Sequence, residues 1–453
     1  MIYYASVEGD DNAVGTSPQT AWRTLEKLGQ AELRGGDHVL MCGGEVFRGS
    51  LRLQFAQNGE RNNPIVVGSY GAGRAVIEAG AGDGIVVESA NGVSIRDLEV
   101  RGSGRATNQG SGVYLVNTRP DNEPMTFVRL ENLETHGFGR DGITLFGKAS
   151  DGSNSGFHDV RIAHCVAHDN ALFGIRVASF WDDQPRTHIN SQIVVSHCVA
   201  HSNPGDPDYM ENHSGSGIFV NNTNGGLIEH CEAFENGALC FCPNGGPMGI
   251  WTAGSNDITI QHCHSHHNRA GARHDGGGFD FDGGVSNSLM QFNLSHDNDG
   301  AGYLLYVYAG APHSFSSNTV RFNVSRDDGR KNNYGGISVG SHGEPVRDLK
   351  IHDNLITVSA QPASSEPATP AAIPCAAWVF GNVRNCVFQN NIFGSSDGAP
   401  LLRVTDAMQE THFVNNKWMT GNGSNDRFLI EWNEREFSDL ESWQAGVEAQ
   451  SSK

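Results

Sequence analysis

The chain has 453 residues with 57 glycines, 8% aromatic and 18% charged residues, a composition that fits many short strands and turns rather than long helices. Its 51 acidic residues against 31 basic ones give a net charge of −20, which repels phosphate backbones and anionic lipid. Nucleic acid and membrane surfaces are thus excluded as expected partners, and neutral glycans suit the field better than polyanionic ones, although a local patch of Arg273, Arg330 and Lys331 could oppose it.

The opening MIYYASVEGDDN lacks the basic and apolar regions of a signal peptide, and no apolar run approaches a membrane span, so the expectation is a cytosolic chain or one already trimmed. The stretch SPQTAWRTLEKLGQAEL (17–33) spaces Trp22, Leu25 and Leu28 helically and predicts an N-terminal helix. Between Val128 and Val324 the sequence repeats itself: VRIAHCVAHDN (160–170), VVSHCVAHSN (194–203), IEHCEAFEN (228–236), TIQHCHSHHN (259–268) and MQFNLSHDN (290–298) align without gaps. One column holds Cys165, Cys198, Cys231 and Cys263 and continues as Asn293 and Asn323. Another holds Asn170, Asn203, Asn236, Asn268 and Asn298, spaced 30 to 33 residues apart, which suits one coil of a solenoid. A third holds His168, His201, His266 and His296, with Phe234 interrupting it.

A second alternating segment follows a glycine in each repeat, as in GITLF (142–146), GIRVA (174–178), GIFVN (217–221), GIWTA (249–253), GFDFD (278–282) and GGISVG (335–340). Strand, turn, strand and loop, repeated, describe a parallel β-helix, whose coils bury their apolar faces only by stacking and so bring like residues into ladders. Buried thiols packed inside the coils account for the cysteines, with metal or redox chemistry as the alternative. Asparagines suit a turn that tolerates unusual dihedrals. The histidines read as stacked turn-flanking rings, with zinc as the alternative. Cys240 and Cys242, in LCFCPNGGP (239–247), lie off the ladder and are expected as free thiols or paired elsewhere, since a bridge across one residue is strained. The excursion SAQPASSEPATPAAIP (359–374) reads as a surface loop, because VFQNNIF (387–393) resumes the coil pattern, and Phe437, Leu440 and Trp443 are placed to cover the last coil.

With these coils, and with an opening of YYAS (3–6), GDDNAVGTSPQTAWRTLEKL (9–28) and GGDHVLMCGGEVFRGSL (35–51), the chain resembles the right-handed parallel β-helix proteins of the pectate-lyase-like superfamily. The expected fold is all-β, one right-handed parallel β-helix domain of roughly ten to twelve coils. Residues 1–60 would form an N-terminal cap with a helix and lead-in strands, 61–430 the coils, and 431–453 a short C-terminal cap. What the resemblance implies for function is carbohydrate bound along one face, by a secreted or periplasmic monomer.

With the first apolar residue of each post-glycine strand inward, the outward columns read Thr144, Arg176, Phe219, Trp251, Asp280, Leu304, Ser338 and Phe146, Ala178, Asn221, Ala253, Asp282, Tyr306, Gly340. In GGGFDFDGG (276–284) two aspartates therefore share one surface while Phe279 and Phe281 anchor the strand, and the flanking glycines are expected to leave room for a ligand. Paired carboxylates about 6.6 Å apart at the backbone suit glycoside hydrolysis, one protonating the leaving oxygen and the other attacking or activating water, with a calcium site built with Asp275 and loop carbonyls, or plain solvated surface, as the alternatives. Their closeness also separates their proton affinities. Trp251 and Tyr306 are the expected sugar platforms, with Arg176, Asn221, His274 and Asp275 as polar partners. The loops FWDDQPRTH (180–188) and GDPDYMENHSGSG (205–217) add Trp181, Asp182, Asp183, Arg186, Tyr209, Glu211 and His213, and Tyr308, His342 and Glu344 stand on the other side.

Three functions compete. In a glycoside hydrolase, Asp280 and Asp282 are catalytic and no cofactor is required. In a polysaccharide lyase, calcium at the aspartates neutralises a uronate while a Lys, Arg or Tyr takes the proton; with six lysines and none in the outward columns, the base falls to Arg176, Arg273 or a tyrosine. In a non-catalytic glycan-binding solenoid, aromatics suffice and paired acids are superfluous.

Overall fold

The structure is a computed structural model, and residues 1–120, 122–148, 155–179, 188–271, 274–360, 373–421 and 429–445 are described. It is an all-β right-handed parallel β-helix of about 12 turns. The chain divides into two compact units, one of Met1–Trp181, His188–Asn203 and Phe219–Leu227, the other of Asp182–Thr187, Pro204–Ile218 and Ile228–Lys453.

In the first unit, Ile85–Glu88, Val113–Asn117, Ile143–Gly147 and Phe173–Ser179 pair in parallel, with Ile85, Val113, Ile143 and Ile175 in one row. All four are fully buried, and removing such a side chain from water contributes about 1.5–3 kcal/mol. The outward rows Tyr114, Thr144, Arg176 and Val116, Phe146, Ala178 are in the expected register. At the N-terminus the predicted helix shrinks to a three-residue turn, Pro18–Thr20, and a five-residue helix, Leu25–Gly29, that buries Leu25 and Leu28. Thr24 caps this helix and strand pairing resumes at Glu32–Leu33, so the capping helix expected over 17–33 is not formed as such.

In the second unit, Met248–Ala253, Gly277–Asp282, Tyr303–Val307, Gly335–Arg347, Cys375–Arg384 and Leu402–Val404 pair in parallel in that order. Ile430–Trp432 extends the row, and Arg435–Phe437 then returns antiparallel to it. The short helix Leu440–Trp443 follows, with Trp443 fully buried against Trp418 and Trp432. Coil pairing continues after the proline-rich excursion, whose residues 361–372 lie outside the described residues, with Val387 opposite Lys350.

The ladders are built as stacking requires. In the first unit, the Asn170 amide donates to Asn203 Oδ1 at 3.1 Å. In the second, Asn236 donates to Asn268, Asn268 to Asn298 and Asn298 to Asp328, each at 2.8–2.9 Å. The cysteine column continues as Asn293, Asn323, Asn354, Asn391 and Asn416, again joined amide to amide. Each amide also donates to a backbone carbonyl, as Asn293 does to Ile260, so polar groups turned into the coil are satisfied. The left-handed backbone falls on the residue before each ladder position, such as His164, Asp169, Glu235 and Asp297, and not on the asparagines. The cysteines are free thiols, all buried except the half-buried Cys42. The histidine column stacks as expected, His136 on His168 on His201 and Phe234 on His266 on His296, with centroids 4.8–5.1 Å apart. Burial, with His266 and His296 beside it, pushes His264 down to about 4.

Candidate active site

The GGGFDFDGG stretch forms the strand Gly277–Asp282 because Phe279 and Phe281 alternate into the coil, where both are fully buried and Phe279 stacks on Tyr303 at 5.3 Å. Asp280 and Asp282 point to the other side. Asp280 lies between Trp251 and Leu304, and Asp282 between Ala253 and Tyr306. The pair is covered more than an open outer face implies: Asp280 is 3% exposed and Asp282 is half-buried. The room expected around the glycines is already filled, since a Cβ on Gly283 would meet the Tyr308 ring at 2.5 Å and one on Gly284 would meet the His313 carbonyl at 2.1 Å. The chain after the Tyr303–Val307 strand turns back over the site.

A third carboxylate joins the pair. Asp275 stands just before the strand and accepts the Tyr334 hydroxyl at 2.8 Å, while the Asn332 amide holds its carbonyl at 2.9 Å. The Gly246 amide supports the same carboxylate, and only a glycine fits there, because a Cβ would lie 2.5 Å from that of Asp275. By contrast, Asp280 Oδ1 and Asp282 Oδ1 are buried with no hydrogen-bond partner among the described residues. Native proteins rarely leave such atoms unsatisfied, and an ionised carboxylate tolerates it least.

The electrostatic result follows. Burial, then Asp282, then Asp275 push Asp280 well above the usual carboxylate range. Burial, then Asp275, raise Asp282 to about 7, while the Gly283 amide works in the opposite direction. Asp275 is raised by burial in spite of Tyr334, His274 and Gly246. Tyr306 is pushed up to about 12 by burial and by the three aspartates, so it stays a neutral phenol, bonded to His342 Nδ1 at 2.8 Å. A carboxylic acid kept protonated beside a carboxylate that ionises near neutral pH is the arrangement acid–base chemistry requires.

The expected residues fall into three groups. Trp251, Asp275, Asp280, Asp282 and Tyr306 converge as read. Trp251 is 4% exposed with the His213 ring edge-on at 5.1 Å, so it walls the site and offers no open platform. His274 donates from Nε2 to the Gly245 carbonyl at 2.7 Å, and Glu211 is exposed on its loop. Arg176 and Asn221 belong to the first unit. The Arg176 guanidinium is committed to the fully buried Asp141 at 3.2 Å and packs over Phe146 and Phe173, while the Asn221 carbonyl accepts from Asn190. Trp181, Asp182, Asp183, Arg186 and Arg273 lie outside the described residues. Arg330 and Lys331 are paired with Asp297 and Asp299, and so do not form the basic patch.

Sequence reasoning missed Tyr334, Trp378 and Phe380. The outward columns run on from Ser338 to Trp378 and from Gly340 to Phe380. Trp378 and Phe380 stack at 4.2 Å, Tyr334 packs edge-on to Trp378 at 6.0 Å, and His342 and Phe380 lie 5.5 Å apart, forming an aromatic wall beside the carboxylates. Trp378 is half-buried, more open than Trp251, with Arg403 over its ring. The signal for Tyr334 was its place directly before GGISVG, at the same end of its strand as Asp275.

No curated protein matches the sequence. Among solved structures, the chain is similar to a GH136 lacto-N-biosidase from Eubacterium ramulus, at 18% identity over 92% of this chain and 68% of that one, with a TM-score of 0.64. It is also similar to the A-module of the mannuronan C-5 epimerase AlgE4 of Azotobacter vinelandii, at 15% identity over 89% and 91% of the two chains, with a TM-score of 0.53. At these identities the likeness is one of fold. The family model described as right handed beta helix region matches residues 77–278 and 210–393. Coil register, asparagine ladders and that match agree: the chain belongs to the right-handed β-helix family.

Proposed function

We propose that the protein is a carbohydrate-active enzyme, a glycoside hydrolase in which Asp280 and Asp282 cleave a poly- or oligosaccharide. The observation that carries this reading is the convergence of Asp275, Asp280 and Asp282, two of them with a buried oxygen that has no partner among the described residues. The pair titrates as a unit. Asp280, the more buried, keeps the shared proton and gives it to the leaving oxygen; Asp282, partly open to solvent, ionises first and attacks the sugar or activates water. Asp275, fixed by Tyr334, raises both carboxyls without contacting the scissile bond. Tyr306, half-buried, offers its ring to the apolar side of a sugar, and Trp378, packed against Phe380 and Arg403, backs that wall. The likeness in fold to a lacto-N-biosidase is in keeping with this chemistry. We place the enzyme outside the cytoplasm, acting as a monomer on a glycan.

The calcium-assisted lyase has less support. A lyase base must be able to give up its proton near the working pH, and Tyr306 is held at about 12 while Arg176 is bound to Asp141. Among the described residues, the triads of donor atoms within 4.8 Å of one another are histidine-containing and leave out the three aspartates. A binding solenoid leaves the buried acids without a purpose. The test is cleavage of a panel of neutral and acidic polysaccharides by the parent and by Asp280→Asn and Asp282→Asn. Reducing ends formed by the parent and lost in both variants support the hydrolase; ultraviolet-absorbing unsaturated products mark a lyase instead.

A further inference from the structure

Stacking accounts for His266 and His296, one per coil in a single column, but not for His264. His264 stands two residues before His266 on the same strand, beside Glu232 and Leu294 in register, and its Nε2 lies 2.9 Å from His296 Nε2. The other nitrogen of each ring faces a carboxylate. His296 Nδ1 faces the Asp297 carboxylate at 2.9 Å and His264 Nδ1 faces the Glu232 carboxylate at 3.3 Å. A proton on either Nε2 makes this contact an N–H···N hydrogen bond, while a proton on each Nδ1 leaves two Nε2 lone pairs facing one another. In the second arrangement a metal cation takes the place of the shared proton and accepts both lone pairs.

We propose that His264, His266 and His296 form a binding site for a divalent transition-metal ion of the zinc class, linking successive coils on the flank that carries the histidine ladder. Donor atoms of the three residues lie within 4.8 Å of one another. Tetrahedral coordination with metal–nitrogen bonds of about 2.0–2.1 Å needs nitrogens about 3.3 Å apart, so the two Nε2 atoms need to separate by only a few tenths of an ångström. Both outer partners of a metal-bound histidine are in place, Glu232 behind His264 and Asp297 behind His296. His266 frees its own Nε2 from Glu232 by moving its proton to Nδ1, where His267 Nδ1 at 2.8 Å accepts it. Imidazole donors select zinc, nickel or copper over calcium or magnesium, and three of them leave a fourth position for water.

The ladder in the first unit is the internal control. There Glu134, His136 and His168 also bring donor atoms within 4.8 Å of one another, but His136 Nε2 faces Glu99 at 3.4 Å and His168 Nε2 faces Glu134 at 3.5 Å, so ring stacking alone does not bring two imidazole nitrogens together.

The test is calorimetric titration of the chelator-stripped full chain with Zn2+ alone. One site is expected, weakened at least about tenfold in His264→Ala and in His296→Ala and unchanged in His136→Ala. Absence of binding by the parent, or equal binding by His264→Ala and His296→Ala, overturns the proposal. If either alanine variant fails to fold, as judged by its circular dichroism, Glu232→Gln replaces it and is expected to weaken binding about tenfold; unchanged affinity then counts against the site. Co2+ in place of Zn2+ should give the visible bands of a tetrahedral nitrogen site, whereas a thiolate charge-transfer band places the metal on cysteine and overturns the assignment.

Discussion

Replacing Asp282 with asparagine removes a charge that the folded protein holds at a cost, and this makes stability a direct readout of the site. Asp282 rises from 3.8 to about 7 on folding, through burial and the neighbouring Asp275. The unfolded chain then loses its proton first. Below pH 3.8 both states keep the proton and the carboxyl costs nothing; between 3.8 and about 7 stability falls as pH rises, and above 7 the loss is complete. Each tenfold change in proton affinity is worth about 1.4 kcal/mol, so the plateau is about 4 kcal/mol. With an unfolding entropy of about 2.1 cal/mol/K per residue, that is about 4 °C in Tm if the chain melts as one unit. The assay is Tm against pH from 3.5 to 9 for the parent and Asp282→Asn. Using the difference cancels the titrating groups that do not sense Asp282, Asp280 is relieved of the Asp282 charge and so moves the difference in the same direction, and the burial of an amide adds only a pH-independent offset. The difference should grow by about 4 kcal/mol in favour of the variant between pH 4 and pH 8. A difference that is flat with pH shows that Asp282 is not held protonated, and the acid–base reading of the cluster goes with it.

The same site should lose about 10²- to 10⁴-fold in kcat in Asp280→Asn, with Tm at neutral pH unchanged or raised, as read by reducing-end release. Tyr334→Phe removes the hydroxyl that favours ionised Asp275; Asp275 then carries less charge, Asp282 falls, and the pH–rate profile should move to lower pH while the circular dichroism stays the same. Asn293→Ala leaves the Cys263 amide, the Ile260 carbonyl and Asn323 Oδ1 each short of a partner inside the coil and should cost about 3 kcal/mol in urea denaturation. Chelation should leave hydrolysis intact in the parent; a complete loss restored by Ca2+ would instead favour calcium at the aspartates.

The parts of the molecule that could be read from the sequence are those that each coil states again. Cys165, Cys198 and Asn293 occupy one phase of the repeat, so their inward packing follows from periodicity, and the alternation of Phe279, Asp280, Phe281 and Asp282 fixes which face the acids take. Contacts made once are hidden. Tyr334 reaches Asp275 from 59 residues along the chain, by way of loops that obey no period. Trp378 and Phe380 continue the outward columns but follow the proline-rich excursion and lack the leading glycine, so the pattern is lost where they begin. The space beside Gly283 and Gly284 is filled by Tyr308 and His313 folding back against them, which no count of small residues reveals. The N-terminal helix is confined to Leu25–Gly29, because strand pairing resumes at Glu32 and leaves the helical spacing of Trp22, Leu25 and Leu28 no room to continue.

Product analysis on a cleaved glycan tests the central claim most directly, using the parent and the two aspartate variants side by side. The account predicts new reducing ends, no ultraviolet-absorbing unsaturated sugar, and turnover cut at least about 100-fold once either Asp280 or Asp282 is an amide. Full turnover by both variants, or an unsaturated product from the parent, contradicts it.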